Sequence, residues 1–484
     1  MTKEFNLKKV TRYLLIGFAV LAVLLYFIAG ESFHFKKTAS PTIDASNVIG
    51  EVTADKTITQ QVTIDTDRMT GYRLKFATYS RENQSNLTLR LVDENGVQLA
   101  ENQIQCASLE DNAEYTVMLD EPILDMQGKT VQLIITSDAA EGQTVTLYYG
   151  NSINLGRGSV VQSYTDEEKV QINGEGIEGE LYLSVLGEEV LWFGSYYWVF
   201  AGGAFVLLAI WCAVLNHKEK TGKKSATLNC IHSLYRYQFL IKQLVSRDFK
   251  TKYRRSVLGV FWSFLNPLLT MLVQYVVFST LFRSAIPNYP VYLLSGIVLF
   301  NFFNETTTVG LTAITSNAPL ITKVYVPKFI YPLTRMLSSS INVAFSLIPL
   351  FIVTICTGVM PAASWLLLAY VLLCMMAFAL GITYILATMM VYFRDTQFLW
   401  TVVSMVWMYC TPIFYPENII PAPLMPLYRM NPLYQLLKFA RISLIDRVSP
   451  EPIAYLICLA VGVIPLVLGV WIFQRKQKDF ALYL

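Results

Sequence analysis

Eight long apolar runs, six of them uncharged, set the limits on what this chain can fold into. They cover residues 13–30, 191–215, 257–282, 291–313, 333–358, 363–391, 398–413 and 453–473. A helix needs about 20 such residues to cross roughly 30 Å of hydrocarbon, so the runs predict eight membrane crossings. They also account for 54% hydrophobic against 15% charged residues, a balance that soluble domains rarely reach. The first run follows Lys8, Lys9 and Arg12, as a signal peptide would. It leads through Gly30-Glu31-Ser32 to His34 and Lys36 without a small-residue cleavage site, and is therefore read as an uncleaved anchor.

Charge gives the runs an orientation. Residues 31–189 hold 26 acidic and 11 basic side chains, a net −15 inside a chain whose total is +3. The basic residues elsewhere gather in 3–12, 218–255, 323–335, at Arg394 and in 475–478. Under the positive-inside rule both termini are cytoplasmic and the acidic region is extracytoplasmic. One stretch runs against the rule: 414–452, placed outside by parity, carries Arg429, Lys438, Arg441 and Arg447 against three acids.

Between the first two runs the pattern becomes strand-like. Leu87, Leu89 and Leu91 alternate with polar residues, Asn95-Gly96 supplies the positive φ angles of a tight hairpin turn, and Val97 and Leu99 begin a return strand. Val131, Leu133 and Ile135 are expected to pair with Val145, Leu147 and Tyr149 across a turn at 138–143. An antiparallel β-sandwich of about 120 residues is the expected result. Tyr72, Tyr79, Tyr115, Tyr148, Tyr149 and Tyr164 either fill its core or offer a platform for a glycan; none of the chain's eight tryptophans falls there. Cys106 is the region's sole cysteine, which excludes an internal disulfide. His34, His217 and His232 are far apart and suggest no metal site.

After residue 215 a short basic linker leads to a helix-like segment. Leu240, Ile241, Leu244, Val245 and Phe249 have the spacing of one helix face, and Arg236, Arg247, Lys250 and Arg254 project from another. The segment runs straight into the apolar run that starts at Val257. A basic stripe beside an apolar one suits anionic headgroups, at roughly 1 kcal/mol per Lys or Arg; the competing reading is a solvated face on an ordinary helix.

Two short runs could be mistaken for a nucleotide site, Gly128-Lys129-Thr130 and Gly222-Lys223-Lys224. A P-loop needs a glycine five residues before the Gly-Lys pair, and Ile123 and His217 stand there instead. The chain is therefore expected not to hydrolyse ATP, and because domain-sized loops are absent after residue 215, any energy source must dock from the cytoplasm.

The second half resembles the permease subunits of ABC-2 type exporters of lipid-linked polysaccharides, the O-antigen and teichoic acid translocators. The resemblance spans about 234–484. It is carried in order by Arg247-Asp248-Phe249-Lys250, Tyr253-Arg254, Leu258-Gly259, Trp262 and Asn266-Pro267; by Asn317, Pro319, Leu320, Lys323 and Pro327; by Phe393-Arg394-Asp395; by Thr411-Pro412-Ile413; and by Asn431-Pro432. It implies a separate ATPase subunit that binds ATP and Mg, a homodimer of this chain, and a polymer on polyprenyl pyrophosphate. Nucleic acid is not an expected partner, and no cofactor is expected in this chain.

The resemblance also suggests roles for particular residues. Lys250, Lys252, Arg254 and Arg255 would attract the pyrophosphate. Within 315–331, Asn317-Ala-Pro319 can start a short helix with Leu320, Ile321 and Val324 as its apolar face, Lys323 and Lys328 as polar contacts and Pro327 ending it; the resemblance makes this the coupling helix in a cleft of the ATPase, the alternative being an ordinary inner loop. Six prolines at 412, 416, 421, 423, 426 and 432 preclude a regular helix. Broken backbone at membrane depth survives when it is buried in protein or lines a cavity, and the family pattern makes this a pair of re-entrant helices forming an outer gate. Phe414, Tyr415, Tyr428 and Tyr434 would line a sugar path there, or else form an interfacial aromatic belt. The loop's positive charge would meet phosphates on the polymer or simply be solvated. Glu305, taken as roughly midway along its span, is expected to face a pore or a dimer partner. Arg394 and Asp395 are expected to form a local ion pair.

The expected architecture is a membrane all-α, six-helix ABC-2 type permease domain with an amphipathic interface helix and a re-entrant outer gate. An N-terminal extracytoplasmic all-β sandwich lies between two extra transmembrane helices. The divisions fall at 1–30, 31–190, 191–216, 217–233 and 234–484. A drug or small-lipid ABC-2 exporter and a membrane-anchored wall-binding receptor are the alternatives; a glycosyltransferase is disfavoured because no cytoplasmic DxD-type pair is present.

Overall fold

The computed structural model describes residues 6–40, 47–150, 152–154, 159–161, 169–223, 225–252, 254, 256–282, 288–323 and 326–483. Two compact units result, His34–Ser195 and a second made of Met1–Phe33 with Tyr196–Leu484.

The first unit is all-β, with a two-stranded ribbon of Ser152–Asn154 and Ser159–Val161 among the described residues and two large antiparallel sheets. One runs Glu175–Ile177, Val170–Ile172, Ile58–Thr63, Thr130–Ser137, Asn86–Asp93, Gln98–Gln105. The other runs Phe35–Ala39, Leu183–Val190, Arg68–Ala77, Thr146–Gly150, Glu180–Leu181, with Glu114–Leu124 also on Arg68–Ala77 and Asn47–Val48 on Thr146–Gly150. Alternation puts Leu87, Leu89, Leu91, Leu133 and Ile135 of one sheet and Tyr72, Leu74, Phe76, Leu147 and Val185 of the other into a single core.

Two sequence expectations are corrected here. The strand Thr130–Ser137 pairs with Ile58–Thr63 and Asn86–Asp93, while Thr146–Gly150 pairs with Arg68–Ala77 in the opposite sheet. Alternation identifies the inward face and not the hydrogen-bonded neighbour, so residues that meet across the core were read as paired within a sheet. The Asn86–Asp93/Gln98–Gln105 hairpin forms, but Gly96 alone takes positive φ (77°). Asp93 Oδ1 accepts from the backbone N–H groups of Asn95 (2.9 Å) and Val97 (2.7 Å), and this side-chain cap holds Asn95 out of the left-handed region. Tyr72 is buried, Tyr115 and Tyr149 pack on the core, Tyr148 lies under Lys75, and Tyr79 is exposed; Tyr164 is outside the described residues.

The second unit is helical: α1 (Leu7–His34), α2 (Trp192–Lys220), α3 (Ala226–Arg236), α4 (Gln238–Lys252), α5 (Phe261–Phe282), α6 (Tyr289–Leu311), α7 (Ala318–Lys323), α8 (Ile330–Cys356), α9 (Leu367–Tyr392), α10 (Thr396–Tyr409), α11 (Met425–Met430), α12 (Pro432–Leu444), α13 (Pro452–Lys476) and α14 (Phe480–Tyr483). Among the described residues six segments are long and apolar enough to cross a membrane: α1, α2, Phe261–Phe278, α8, Ala363–Tyr392 and α13. The two remaining runs differ from expectation. α6 has the length, but Asn301, Asn304, Glu305 and three threonines make it too polar. α10 has 14 residues, about 21 Å, because the helix stops at Tyr409 before the first proline of 412–432.

α9 and α13 make the most intimate helix pair. A Cβ on Gly381 would collide with the backbone of Pro465 and Leu466, and one on Gly469 with the Gly381 carbonyl, so small residues set this approach. α1 and α2 pack through Tyr26 on Tyr197 (5.3 Å between rings) and the Tyr197 hydroxyl, which donates to the Ala22 carbonyl (2.7 Å). Phe33 meets Tyr455 of α13 edge-on at 5.5 Å.

Candidate functional site

The apolar stripe of α4 does not lie bare. Leu244 is buried, and Tyr237, Leu240 and Ile241 pack on a core built from Ile314, Ile330, Tyr331, Tyr384 and Phe473. Phe249 stacks on Phe345 of α8 at 6.3 Å. Leu320 and Ile321 of α7 join the same core. The basic stripe is correspondingly divided. Lys250 and Arg254 are exposed, Arg254 lying beyond the helix end, whereas Arg247 and Lys252 turn toward protein partners; Arg255 is outside the described residues.

A charged cluster ties α4 to its neighbours. Asp248, 8% exposed, meets Arg247 Nη2 at 3.0 Å and Arg335 Nη1 of α8 at 2.9 Å, the latter an ion pair off the hydrogen-bonding line. Arg247 also donates to Asn317 Oδ1 (3.3 Å), and Arg335 to Ser316 Oγ (3.2 Å). Both recipients lie in the turn Thr315–Asn317 just before α7, so one carboxylate organises three elements.

Beside this cluster Lys252 Nζ reaches Glu305 Oε1 of α6 at 2.8 Å. The same carboxylate oxygen accepts from Asn342 Nδ2 (2.6 Å) and Ser339 Oγ (3.4 Å) of α8. Glu305 is thus not midway along its span but sixteen residues from Tyr289 and six from Leu311. Its charge is matched by Lys252, which sequence reasoning had assigned to phosphate alone. The pair borders two cavities. One, of about 350 Å³, is lined by Trp262, Asn266, Asn301 and Asn342; the other, of about 490 Å³, by Asp248, Asn317, Arg335 and Ser339.

A short helix forms at Ala318–Lys323, preceded by a 3-10 turn at Thr315–Asn317. Asn317 is buried and donates to the Ala313 carbonyl (2.8 Å); Pro319 and Lys323 are exposed. Val324 is outside the described residues. Lys328, past Pro327, turns inward and donates to the Gln477 carbonyl (2.6 Å), with burial lowering its pKa and Asp479 partly offsetting that. A cavity of about 640 Å³ opens here among α3, α9, α13, Ile321 and residues 326–329.

The proline-rich stretch is held by side chains that satisfy its freed carbonyls. The Tyr289 hydroxyl donates to Phe414 O (2.7 Å), and the Tyr292 hydroxyl to Tyr415 O (2.8 Å) and Pro412 O (3.1 Å). Arg441 of α12 donates to the carbonyls of Pro412 (2.7 Å), Ile413 (3.3 Å) and Tyr292 (3.2 Å) while stacking on the Tyr292 ring. Irregular backbone thus exchanges water for protein donors. The loop's positive charge is therefore divided: Arg429 and Arg447 are exposed, as the solvated reading expects, whereas Arg441 is buried and Lys438 pairs with Glu417 at 3.3 Å. Phe414 and Tyr434 are buried; Tyr415 and Tyr428 are half-buried, their hydroxyls 3.2 Å apart. Sequence reasoning missed Tyr289 and Tyr292. Two tyrosines three residues apart in a span, opposite a proline-broken segment, were the available signal. Among the described residues Arg394 and Asp395 form no ion pair with each other. Nor do the described residues contain a cluster of metal-ligating side chains.

Long apolar helices packed through glycine contacts, a polar seam within them and irregular backbone capped by buried donors define a multi-pass membrane protein of the transporter kind. The family model described as ABC-2 type transporter matches residues 239–445. An O-antigen export system permease protein RfbA from Myxococcus xanthus is 30% identical over 256 residues, 52% of this chain and 98% of that relative. A protein of the same description from Klebsiella pneumoniae is 28% identical over 244 residues, 50% of this chain and 93% of its own length. The chain belongs to the ABC-2 type transporter family. It is a permease subunit and not an enzyme, and the all-β unit lies outside the family match.

Proposed function

We propose that this chain is the membrane permease of an ABC exporter that moves a polysaccharide or teichoic-acid-like polymer, carried on polyprenyl pyrophosphate, across the cytoplasmic membrane. A separate ATPase subunit binds ATP and Mg and drives a homodimer of this chain. α5, α6, α8, α9, α10 and α13 serve as the six-helix domain, with both chain ends cytoplasmic and His34–Ser195 outside. The export role of the relatives supports the cargo. The observation that carries the mechanism is the placement of exposed Lys250 and Arg254, with Lys252, at the end of a helix tied by Asp248 to the turn before α7.

In this reading the basic end of α4 gathers the pyrophosphate. The ATPase pushes on α7, and the motion reaches α4 and α8 through the Arg247–Asp248–Arg335 cluster and the shared apolar core. The segment 411–432 with α11 and α12 forms the outer gate, where Tyr415 and Tyr428 are the most accessible of the aromatic candidates. The test is surface polymer in cells whose own chain is replaced by the K250Q/K252Q/R254Q/R255Q variant, and in cells lacking the partner ATPase. Loss of surface polymer with intracellular accumulation is expected in both. Normal export in either overturns the corresponding part of the reading.

A further inference from the structure

We propose that the 350 Å³ cleft between α5, α6 and α8 is a saccharide subsite closed at one end by the Lys252–Glu305 pair. The inference rests on the polymer-export reading above and adds where the first sugar is held. Four amide and carboxylate side chains converge on the cleft from three helices: Asn266 of α5, Asn301 and Glu305 of α6, and Asn342 of α8. Trp262, at the start of α5, supplies an indole wall and is 43% exposed.

Asn266 lies in α5 and Asn301 in α6, both within the proposed six-helix domain, and both are exposed. An amide facing hydrocarbon without a partner costs several kcal/mol, so this face is built to meet water or a polar ligand. Among ligands, a neutral hydroxyl-rich ring fits best. Amides and a carboxylate take up paired hydroxyls as donors and acceptors, and an aromatic face covers the apolar side of the ring. A phosphate does not fit the cleft itself, because Glu305 would repel it.

The ion pair supplies the timing. Lys252 is 43% exposed and Glu305 28%, so the lysine can turn toward an arriving phosphate. Once it does, Glu305 keeps Asn342 and Ser339 as donors and gains a free lone pair for a sugar hydroxyl. Phosphate capture at α4 and sugar entry between α5, α6 and α8 are thereby linked through one lysine.

The test is surface polymer per copy of membrane-inserted chain, in cells where the full-length variant replaces the parent; normalising per copy keeps a poorly accumulating variant readable. Each of N266L and N301L is expected to lower export at least about fivefold, the equivalent of one lost hydrogen bond. W262L is expected to do the same and W262F to recover most of the activity, because the ring rather than the indole N–H carries the contact. Export by N266L and N301L at the parental level, or equal loss in W262F and W262L, overturns the subsite. Absence of export by the parental chain would instead defeat the functional reading itself.

Discussion

Asp248→Asn removes the carboxylate that Arg247 and Arg335 share, and the two arginines are differently placed to feel the loss. Asp248 is 8% exposed and Arg335 16%, whereas Arg247 is 50% exposed. Removing one partner of a buried pair leaves an uncompensated charge and costs about 3–5 kcal/mol. An exposed pair contributes roughly 1 kcal/mol or less. D248N and R335Q are therefore each expected to destabilise the helical unit by about 3 kcal/mol, and R247Q by under about 1 kcal/mol. The doubly apolar D248L/R335M should recover to within about 1 kcal/mol of the parent, because no buried charge is stranded. The measurement is SDS-induced unfolding of the full chain in mixed micelles, followed by tryptophan fluorescence. ATPase-driven export should remain impaired in the double variant, since the α4–α8 charge link is gone while the fold is restored. If R247Q costs as much as R335Q, or D248N is neutral, burial does not set the strength of this cluster and the transmission argument falls with it.

Arg441→Met leaves the carbonyls of Pro412 and Ile413 without their guanidinium donor, so a loss of about 3 kcal/mol is expected in the same unfolding assay; R441K, with a single donor head, should recover less than half of it. Gly381→Ala and Gly469→Ala force α9 and α13 apart and should each cost at least about 2 kcal/mol, whereas Gly203→Ala, with open space around its Cβ, should be neutral or stabilising in that measurement. In the β unit, Asp138 is held below the usual carboxylate range first by the Asn86 backbone N–H (2.7 Å) and then by the Asn86 side chain. A depressed folded pKa gives stability that is present above the unfolded value near 3.8 and is lost as pH falls through the folded one. The urea midpoint should thus drop on acidification below about pH 4, and D138N should show a smaller drop from a lower starting point.

Much of the architecture was legible because its signals are local. A strand carries its inward face in alternate residues, as Leu87, Leu89 and Leu91 do, and a span carries its length in an uncharged run. α10 was misjudged because apolar composition continues through Cys410 to Ile413 after the helix has stopped at Tyr409; Pro412, three residues past the helix end, was the better guide. The site was legible as a set of motifs but not as a network. Lys252 and Glu305 stood out separately, one as a phosphate ligand and the other as a costly charge in a span. Nothing in a spacing of 53 residues shows that each is the other's partner.

Sequence by itself determined the membrane class, the β insertion between two apolar anchors, the absence of a P-loop and the breaks that prolines impose, because each follows from a short stretch and its solvent. Tertiary structure decided which charges are free and which are spent. Arg441 and Arg254 read alike in a loop and at a helix end, yet one is buried among carbonyls and the other is exposed. The physical reason is that a charge's role depends on the dielectric and partners around it, and here those are supplied by helices distant in the chain.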